Sequence, residues 1–305
     1  MKIVQPSELS SNAPISCLIY GQPGVGKTTV AVGAPSPLLI DFDHGLIRIK
    51  KEYQCPSVQV SSYEDILELM QSEEIKAYNS IVVDTFGKFI DCMFDYLADK
   101  NGKLRNYNGQ PTQQGWGQIK TTATKFIKDL LKMNKNIIFV AHDREDKSGD
   151  EFFIRPDISG ASGKELVKEI DLVGYMSIKG GKRTICFNPS DNFVAKNSLG
   201  LEGFINLPPD NSFFTEIIEK IKARREEDNM VRLEYEQLLE EQDSKLATIK
   251  EADQLDFLIN DLKDAENKVI WGSKMIYWNK IKKLAKEKFN MEYDNANGKF
   301  VACDA

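Results

Sequence analysis

Short apolar runs alternate with helix-forming segments along the first two thirds of the chain. The runs are rich in Ile, Val, Leu and Phe and show little alternation, which is typical of parallel strands covered on both faces. The alternation predicts an α/β domain with a mainly parallel central sheet flanked by helices. The predicted strands are Ile15–Tyr20, Pro37–Phe42, Ser80–Asp84, Asn136–Ala141 and Leu172–Ile178, and the predicted helices are Tyr63–Gln71, Lys88–Lys100 and Gln118–Met133.

The pattern predicts a hairpin after the last of these strands. Its two arms are Thr184–Phe187 and Phe193–Ala195, and the turn between them is Asn188–Asp191. Asn, Pro, Ser and Asp are the residues that tight turns favour.

The character of the chain changes after Pro208-Pro209. Residues 208–245 are helix-forming and highly charged, with a broken apolar stripe. This indicates a helix that is exposed or bound to a partner, with a short coiled coil as the alternative. Residues 246–305 resemble a small, mainly helical unit that ends in a turn and a short strand. We therefore predict three parts: a core over 1–207, a charged helical linker over 208–245 and a C-terminal helical domain over 246–305.

A glycine-rich segment lies between the first predicted strand and a helix. It fits the phosphate-loop pattern G-x-x-x-x-G-K-[ST] at every fixed position. Glycines allow backbone N–H groups to curl around a phosphate, the lysine places a charge on the β- and γ-phosphate oxygens, and the threonine hydroxyl can ligate Mg²⁺. The segment predicts binding of a nucleoside triphosphate by Gly21, Gln22, Pro23, Gly24, Val25, Gly26, Lys27, Thr28 and Thr29.

A phosphate-loop site needs a second acidic ligand at the end of a neighbouring strand. The buried run Ser80–Val83 ends in Asp84, which provides that carboxylate. We expect Thr28 and Asp84 to hold Mg²⁺ with ATP. Thr85 follows Asp84, so a carboxylate that activates water has to come from elsewhere.

The bulk composition is that of an ordinary globular protein. The 305 residues are 41% hydrophobic and 28% charged, with a net charge of −6 and five scattered cysteines. No apolar stretch approaches the roughly 18 residues of a membrane helix. The cysteine spacing disfavours a zinc site or a disulfide framework. We expect a cytoplasmic protein with no membrane partner, whose acidic balance disfavours nonspecific coating of duplex DNA.

Three further segments resemble motifs of RecA-type proteins. The segment 41–46, Asp-Phe-Asp-His-Gly-Leu, resembles the strand of RecA-type recombinases that reads Asp-Ala-Glu-His, whose Glu activates water. By that resemblance Asp43 takes the Glu position, one methylene shorter. The alternative is that Asp41 and Asp43 only cap a turn.

The strand Asn136–Ala141 ends in His142, where RecA-type proteins carry a polar γ-phosphate sensor. The alternative for His142 is a hydrogen-bonded histidine at a strand end. The segment 195–200 resembles the Lys-Asn-Arg-Phe-Gly motif of RadA-like proteins, whose basic residues reach the nucleotide of a neighbouring subunit. Lys196 is retained, but Ser198 stands where the motif has arginine. A lysine in a surface turn is the alternative.

Two long polar segments lie where RecA-type proteins carry DNA-binding loops. The corresponding segments are 100–116, with Tyr107 and Trp116, and 143–156, with Phe152 and Phe153. Cations interleaved with aromatic rings suit a single strand, because the rings stack on bases. A lysine-rich segment, 274–288, is a further candidate for nucleic acid, with a solvated helix face as the alternative.

Taken in order, these motifs give residues 15–207 a resemblance to a RecA-like P-loop ATPase core. The chain resembles the core-only, Sak-type ATPases of bacteriophages that promote single-strand annealing and recombination, and more broadly an AAA-type ATP-binding protein. The resemblance implies ATP and Mg²⁺ as cofactors, DNA-dependent ATP hydrolysis by Lys27, Asp43, Asp84, His142 and Lys196, single-stranded DNA as a partner, and a homo-oligomeric ring or filament. It also implies a single-strand-binding or other replication protein as a partner and, for a phage-encoded chain, the host cytoplasm.

Two other functions fit the same residues. One is an ATP-dependent switch or loader that acts through protein partners with slow turnover. The other is a small-molecule kinase, which is disfavoured because no arginine-rich lid lies between Asp84 and His142.

Overall fold

The computed structural model describes residues 11–148, 151–201, 203–263 and 270–303. The chain divides into two compact units, Asn12–Ile221 and a second unit formed mainly by the chain from Lys222 onward. The first unit therefore extends beyond the predicted boundary at 207. The cause is apolar burial, because Phe213, Phe214, Ile217 and Ile221 pack into the core of the first unit.

The first unit is built on one sheet. Its strands are β1 (Ser16–Gly21), β2 (Pro37–Asp41), β3 (Ser57–Gln59), β4 (Ser80–Asp84), β5 (Asn136–Ser148), β6 (Glu151–Pro156), β7 (Leu172–Lys179), β8 (Lys182–Cys186), β9 (Lys196–Asn197) and β10 (Phe204–Asn206). The helices of this unit are α1 (Lys27–Ala31), α2 (Tyr63–Gln71), α3 (Phe86–Lys100), α4 (Gln113–Leu131) and α5 (Ser162–Glu169), joined by the start of α6 (Phe213–Thr248).

The central strands are parallel, as predicted. The sheet order is β10-β8-β7-β1-β5-β4-β2-β3, and β7, β1, β5, β4, β2 and β3 all run in the same direction. The strands β8 and β10 continue the sheet in antiparallel fashion. The predicted fold class, a mainly parallel sheet with flanking helices and a C-terminal helical region, is confirmed.

Apolar side chains project from both faces of the sheet, as the continuous apolar runs in the sequence predict. On β1, Leu18 and Tyr20 face one core, and Cys17 and Ile19 face the other. The first core is covered by α2, α3, α4 and α5, and the second by α1 and the start of α6. Because the strands are buried on both faces, the positions of their ends are fixed. The positions of the loops that follow these ends are fixed as a consequence.

Two hairpins differ from the predicted arrangement. The segment after His142 is not a loop: β5 continues to Ser148 and pairs antiparallel with β6. The strand β8 pairs with β7 rather than with residues 193–195. The turn between β7 and β8 is Gly180-Gly181, whose φ angles of 55° and 76° are those that a two-residue hairpin turn requires.

The second unit has its own small core. It contains most of α6, then α7 (Leu255–Lys263), α8 (Ser273–Phe289) and a hairpin of β11 (Met291–Asp294) with β12 (Lys299–Ala302). Its buried residues include Leu255, Leu258, Tyr277, Ile281 and Phe300. Within the described ranges, no helix combines the length and the apolar character that a membrane crossing needs.

Candidate nucleotide-binding site

The predicted site residues converge on one edge of the sheet. Parallel strands β2, β4 and β1 end there, at the level where the neighbouring strand β5 reaches His142. In register, Gly21 at the end of β1 lies beside His142 of β5, and Asp41 at the end of β2 lies beside Asp84 of β4. Ligand sites of open α/β sheets lie at this carboxyl edge.

The phosphate loop joins β1 to α1 in a conformation that two glycines make possible. Gly24 has φ of 80° and Gly26 has φ of 93°, a region that side chains with a Cβ rarely adopt. Gly26 is also the N-cap of α1, so the helix begins at Lys27. Any other residue at these two positions would strain the loop.

Lys27 lies inside the loop. It is only 6% exposed, and its Nζ donates to the carbonyl oxygens of Gly21 at 2.8 Å and Gln22 at 2.9 Å. Burial lowers the pKa of the Lys27 ammonium, and the nearby carboxylate of Asp84 opposes that effect. The loop thus holds a buried cation against backbone oxygens, which is where a phosphate would bind it.

Thr28 and Asp84 form the predicted metal pair. The Thr28 hydroxyl donates to Asp84 Oδ2 at 2.5 Å, and Asp84 is 3% exposed. Burial raises the pKa of the Asp84 carboxyl to about 6, against the opposing effect of the Thr28 hydrogen bond. The peptide bond between Asp84 and Thr85 is cis.

This pair fits Mg²⁺ by its donor chemistry. Mg²⁺ prefers hard oxygen ligands and is usually bound by one or two protein groups together with phosphates and water. Thr28 and Asp84 supply a hydroxyl and a carboxylate in contact with each other. Among the described residues, no group of three or more His, Cys, Asp or Glu side chains could hold a metal on its own. A Mg²⁺ held by this pair would also use phosphate oxygens of a bound nucleotide as ligands.

Asp41 and Asp43 have different partners. Asp41 is buried and accepts hydrogen bonds from the backbone N–H groups of Asp43, Gly45 and Leu46, at 3.2, 2.9 and 3.0 Å. It caps the turn after β2. Asp43 is the residue that the turn presents, so the turn-capping alternative describes Asp41 and not Asp43.

Asp43 pairs with two cations that sequence reasoning missed. Its carboxylate forms ion pairs with Lys88, in the first turn of α3, and with Arg48 at 3.0 Å. Partial burial of Asp43 acts to raise its pKa. The hydrogen bond from Lys88 and the positive charges of Lys88 and Arg48 outweigh that effect and hold the pKa of Asp43 below its usual value. The position of Lys88, four residues after Asp84 at a helix start, is the signal that could have indicated it.

His142 lies in the same electrostatic cluster. Its Nδ1 is buried and, among the described residues, has no hydrogen-bond partner. Burial lowers the pKa of His142, as does the charge of Lys27, while Asp43 and Asp157 act in the opposite direction. These effects favour the neutral imidazole, and its buried Nδ1 has no hydrogen-bond partner in the described part of the chain. The hydrogen-bonded alternative does not describe this nitrogen.

Lys196 is the predicted site residue that the fold does not bring to this edge. It lies on β9, which pairs with the amino-terminal end of β7 at Leu172 and Val173. Its Nζ donates to three carbonyls at the end of α5, those of Val167, Lys168 and Ile170, at 3.0, 3.1 and 2.5 Å. Within its own chain Lys196 is a helix cap, and its role at a neighbouring subunit stays a prediction.

A further residue that sequence reasoning missed contacts the phosphate loop from the other side. Arg183, on β8, packs against Gly26 so closely that a Cβ built on this glycine would lie 2.7 Å from the Arg183 Nη1. No motif marks this arginine in the sequence. It reaches the loop because β8 pairs with β7, which the sequence pattern did not predict.

The fold and this edge define a P-loop protein of the α/β class. A glycine-rich loop, a buried lysine and a threonine–aspartate pair occupy the carboxyl edge of a parallel sheet, as nucleotide binding requires. The model of the AAA domain family, AAA_24, matches residues 13–199, more than half of the chain. The chain belongs to the AAA domain family.

Two individual proteins resemble this chain. One is an SPbeta prophage-derived uncharacterized protein, YorG, of Bacillus subtilis strain 168, which is 25% identical over 165 residues, 53% of this chain. That alignment spans about half of the relative, 50% of its length. The other is the crystal structure of the KaiC-like protein PH0186 from Pyrococcus horikoshii OT3, at 14% identity and a TM-score of 0.36, covering 66% of this chain and 98% of that chain.

Proposed function

We propose that this protein is a RecA-like phage-type ATPase that binds single-stranded DNA and promotes annealing or homologous recombination. One observation supports the ATPase part most strongly: Lys27, the Thr28–Asp84 pair, Asp43 and His142 lie at one edge of the sheet, although they come from four separate strands or loops. Membership of the AAA domain family supports it as well.

The residues divide the chemistry of ATP hydrolysis among them. Lys27 would leave its two backbone carbonyls for the β- and γ-phosphate oxygens. Mg²⁺ held by Thr28 and Asp84 would neutralise charge on the same oxygens. Asp43 would orient the attacking water and accept its proton while the bond from the γ-phosphorus to the leaving oxygen of ADP breaks. His142, whose pKa is lowered by burial and by the charge of Lys27, would bind the γ-phosphate and detect its loss.

The β5–β6 hairpin would carry that signal to DNA. Beyond the point where β1 ends beside His142, β5 continues as a hairpin past the edge of the sheet. Arg144 and Arg155 both pair with Asp146, at 3.3 and 2.5 Å. Phe152 is 55% exposed with the Lys147 ammonium 5.4 Å from its ring. A ring beside a cation suits a base next to its phosphate.

The loop before α4 offers a second aromatic contact. Tyr107 is 97% exposed at its tip. Trp116 packs on Gly160, at 2.7 Å from where a Cβ would be, and Asp157 just upstream donates its N–H to the His142 carbonyl at 2.8 Å. The first turn of α4, which follows this loop and contains Trp116, is thus linked to His142 through one short segment.

The biological setting of the proposal rests on the comparisons. A relative is prophage-derived, which favours a phage protein that acts in the host cytoplasm. Assembly into a ring or filament, the use of Lys196 in trans and cooperation with a single-strand-binding or other replication protein belong to the same proposal. They would follow from RecA-like action on a DNA strand.

Single-strand binding is tested with exposed aromatic residues. We predict that Phe152→Ala and Tyr107→Ala each weaken binding of a fluorescent oligo(dT) by about tenfold, as expected for one lost stacking contact. Fluorescence anisotropy with a nonhydrolysable ATP analogue measures this. Phe257→Ala is the matched control, because Phe257 is 65% exposed in the second unit. Equal affinity of wild type and the three variants for oligo(dT) would show that Phe152 and Tyr107 do not contact the strand, and these loops would no longer belong to the proposed DNA site.

One observation favours a second function, the ATP-dependent switch with slow turnover. Asp43 is neutralised by Lys88 and Arg48, and a paired carboxylate is a weak base. Tight ATP binding that depends on Lys27, with negligible hydrolysis and no effect of DNA, would select this function over the first.

A further inference from the structure

We infer that Arg183 is a nucleotide-binding residue that holds the α- and β-phosphates, the portion that ADP and ATP share. The inference rests on the proposed function, since it assumes that the phosphate loop binds a nucleotide. It adds a residue that neither the phosphate-loop pattern nor the RecA-like motifs include.

Contact with the loop is the first observation. A Cβ built on Gly26 would lie only 2.7 Å from the Arg183 Nη1 and would collide with it. Gly26 precedes Lys27 and caps α1, so the guanidinium borders the backbone that would enclose a phosphate. An arginine at this distance presents planar N–H donors that match phosphate oxygens.

The Arg183 guanidinium is held in place by a hydrogen bond that engages only some of its N–H donors. Its Nη2 donates to the Pro208 carbonyl at 3.1 Å, and the Arg183 carbonyl accepts from the Leu207 N–H at 2.9 Å. Within the described part of the chain, no carboxylate lies within ion-pair distance of Arg183. A half-buried arginine that is oriented by one carbonyl keeps donors available for an anion.

The sheet order shows which part of a nucleotide Arg183 would meet. Asp43 follows β2, Asp84 ends β4 and His142 lies in β5, and these three strands all lie on one side of β1. Arg183 is on β8, across β7, on the opposite side of β1. The reacting γ-phosphate belongs with the first group. Arg183 therefore faces the end of the nucleotide that is not consumed, and it sets affinity rather than rate.

Nucleotide affinities of Arg183→Ala, compared with wild type, test this directly. We expect the Kd values for ADP and for ATP to rise by the same factor, about tenfold or more for a lost charge-assisted contact. The KM for ATP should rise in parallel while kcat changes little. Arg183→Lys should recover part of the affinity. Lys182→Ala, the exposed neighbouring cation on β8, should bind like wild type.

The possible results separate the inference from the proposed function. Unchanged ADP affinity in a folded Arg183→Ala protein, or a loss limited to ATP together with a fall in kcat, would overturn the inference. Where Arg183→Ala fails to fold, Arg183→Gln gives the same comparison with most of the side chain retained. If Lys27→Ala loses nucleotide and Arg183→Ala does not, only the inference is wrong. If Lys27→Ala still binds nucleotide as tightly as wild type, the proposed function fails with it.

Discussion

At the scale of single residues, two aspartates two positions apart have unlike environments. Asp41 is 1% exposed and binds three backbone N–H groups, whereas Asp43 reaches solvent and pairs with side-chain cations. The sequence shows two acids after a strand and cannot show which one turns inward. The conformation of the turn determines which aspartate turns inward, because the backbone N–H groups of the turn need a hydrogen-bond acceptor.

Removal of each carboxylate should therefore have a different effect. We predict that Asp41→Ala lowers the free energy of unfolding by on the order of 2 kcal/mol, since three buried N–H groups lose their acceptor. Asp43→Ala should lower it far less, because its ion pairs are partly exposed, but it should reduce ATP turnover. Urea unfolding and an ATPase assay measure the two effects. Equal destabilisation by both substitutions would contradict these separate roles.

The sequence predicted some site residues and missed others for a physical reason. Lys27, Thr28 and Asp84 belong to patterns in which each residue type is needed at a fixed spacing, and the fold places Thr28 and Asp84 in contact. Lys88 and Arg183 belong to no such fixed-spacing pattern, although Lys88 follows Asp84 by four residues at a helix start. They reach the site only through the packing of α3 and the pairing of β8, so they become visible in three dimensions.

At the scale of elements, Lys196 stabilises the end of α5. Helix ends leave carbonyls without intrahelical partners, and a cation there also meets the negative end of the helix dipole. The Lys196 ammonium satisfies three such carbonyls. Use of this lysine at a neighbouring subunit would require it to leave all three.

We predict that Lys196→Ala lowers the free energy of unfolding by about 2 kcal/mol, from the loss of charge-assisted hydrogen bonds. Lys164→Ala is the control, because Lys164 is exposed on the same helix. Thermal or urea unfolding checks the effect. A Lys196→Ala protein of wild-type stability that has lost ATP turnover in the assembled state would instead favour the role in trans.

The strands that are buried on both faces were predicted well from the sequence. The strands whose position depends on pairing with a neighbouring strand were predicted poorly. The runs that became β1, β2, β4, β5 and β7 were located to within a residue or two at their starts, because buried parallel strands leave long apolar runs. The continuation of β5 after His142 is polar, and its pairing with β6 depends on cross-strand contacts rather than on composition. The pairing of β8 with β7 depends on the Gly180-Gly181 turn, a hairpin signal that the predicted arrangement does not include.

At the scale of the whole molecule, the chain combines an AAA domain with a second compact unit. The family model ends at residue 199, before the second unit begins near Lys222. The lysine-rich helix α8 of the second unit remains a candidate DNA contact. Lys280 pairs with Asp243 at 2.5 Å, whereas the Lys282 ammonium lies 5.6 Å from the Trp278 ring.

The net charge of −6 determines how DNA would be bound. Attraction to phosphates has to come from local cations such as Lys147, and ring stacking has to supply the rest. Binding of this kind weakens with salt less steeply than binding by an extended basic surface, because fewer phosphates are neutralised.

ATP turnover by wild type and by Lys27→Ala, each with and without single-stranded DNA, is the most direct test that this protein is a DNA-dependent ATPase. We predict that wild type hydrolyses ATP in the presence of Mg²⁺ and that single-stranded DNA stimulates it. Lys27→Ala should lose both, because the buried ammonium is the cation placed for the β- and γ-phosphates. Hydrolysis of the same rate in Lys27→Ala would contradict the assignment of this loop as the active site.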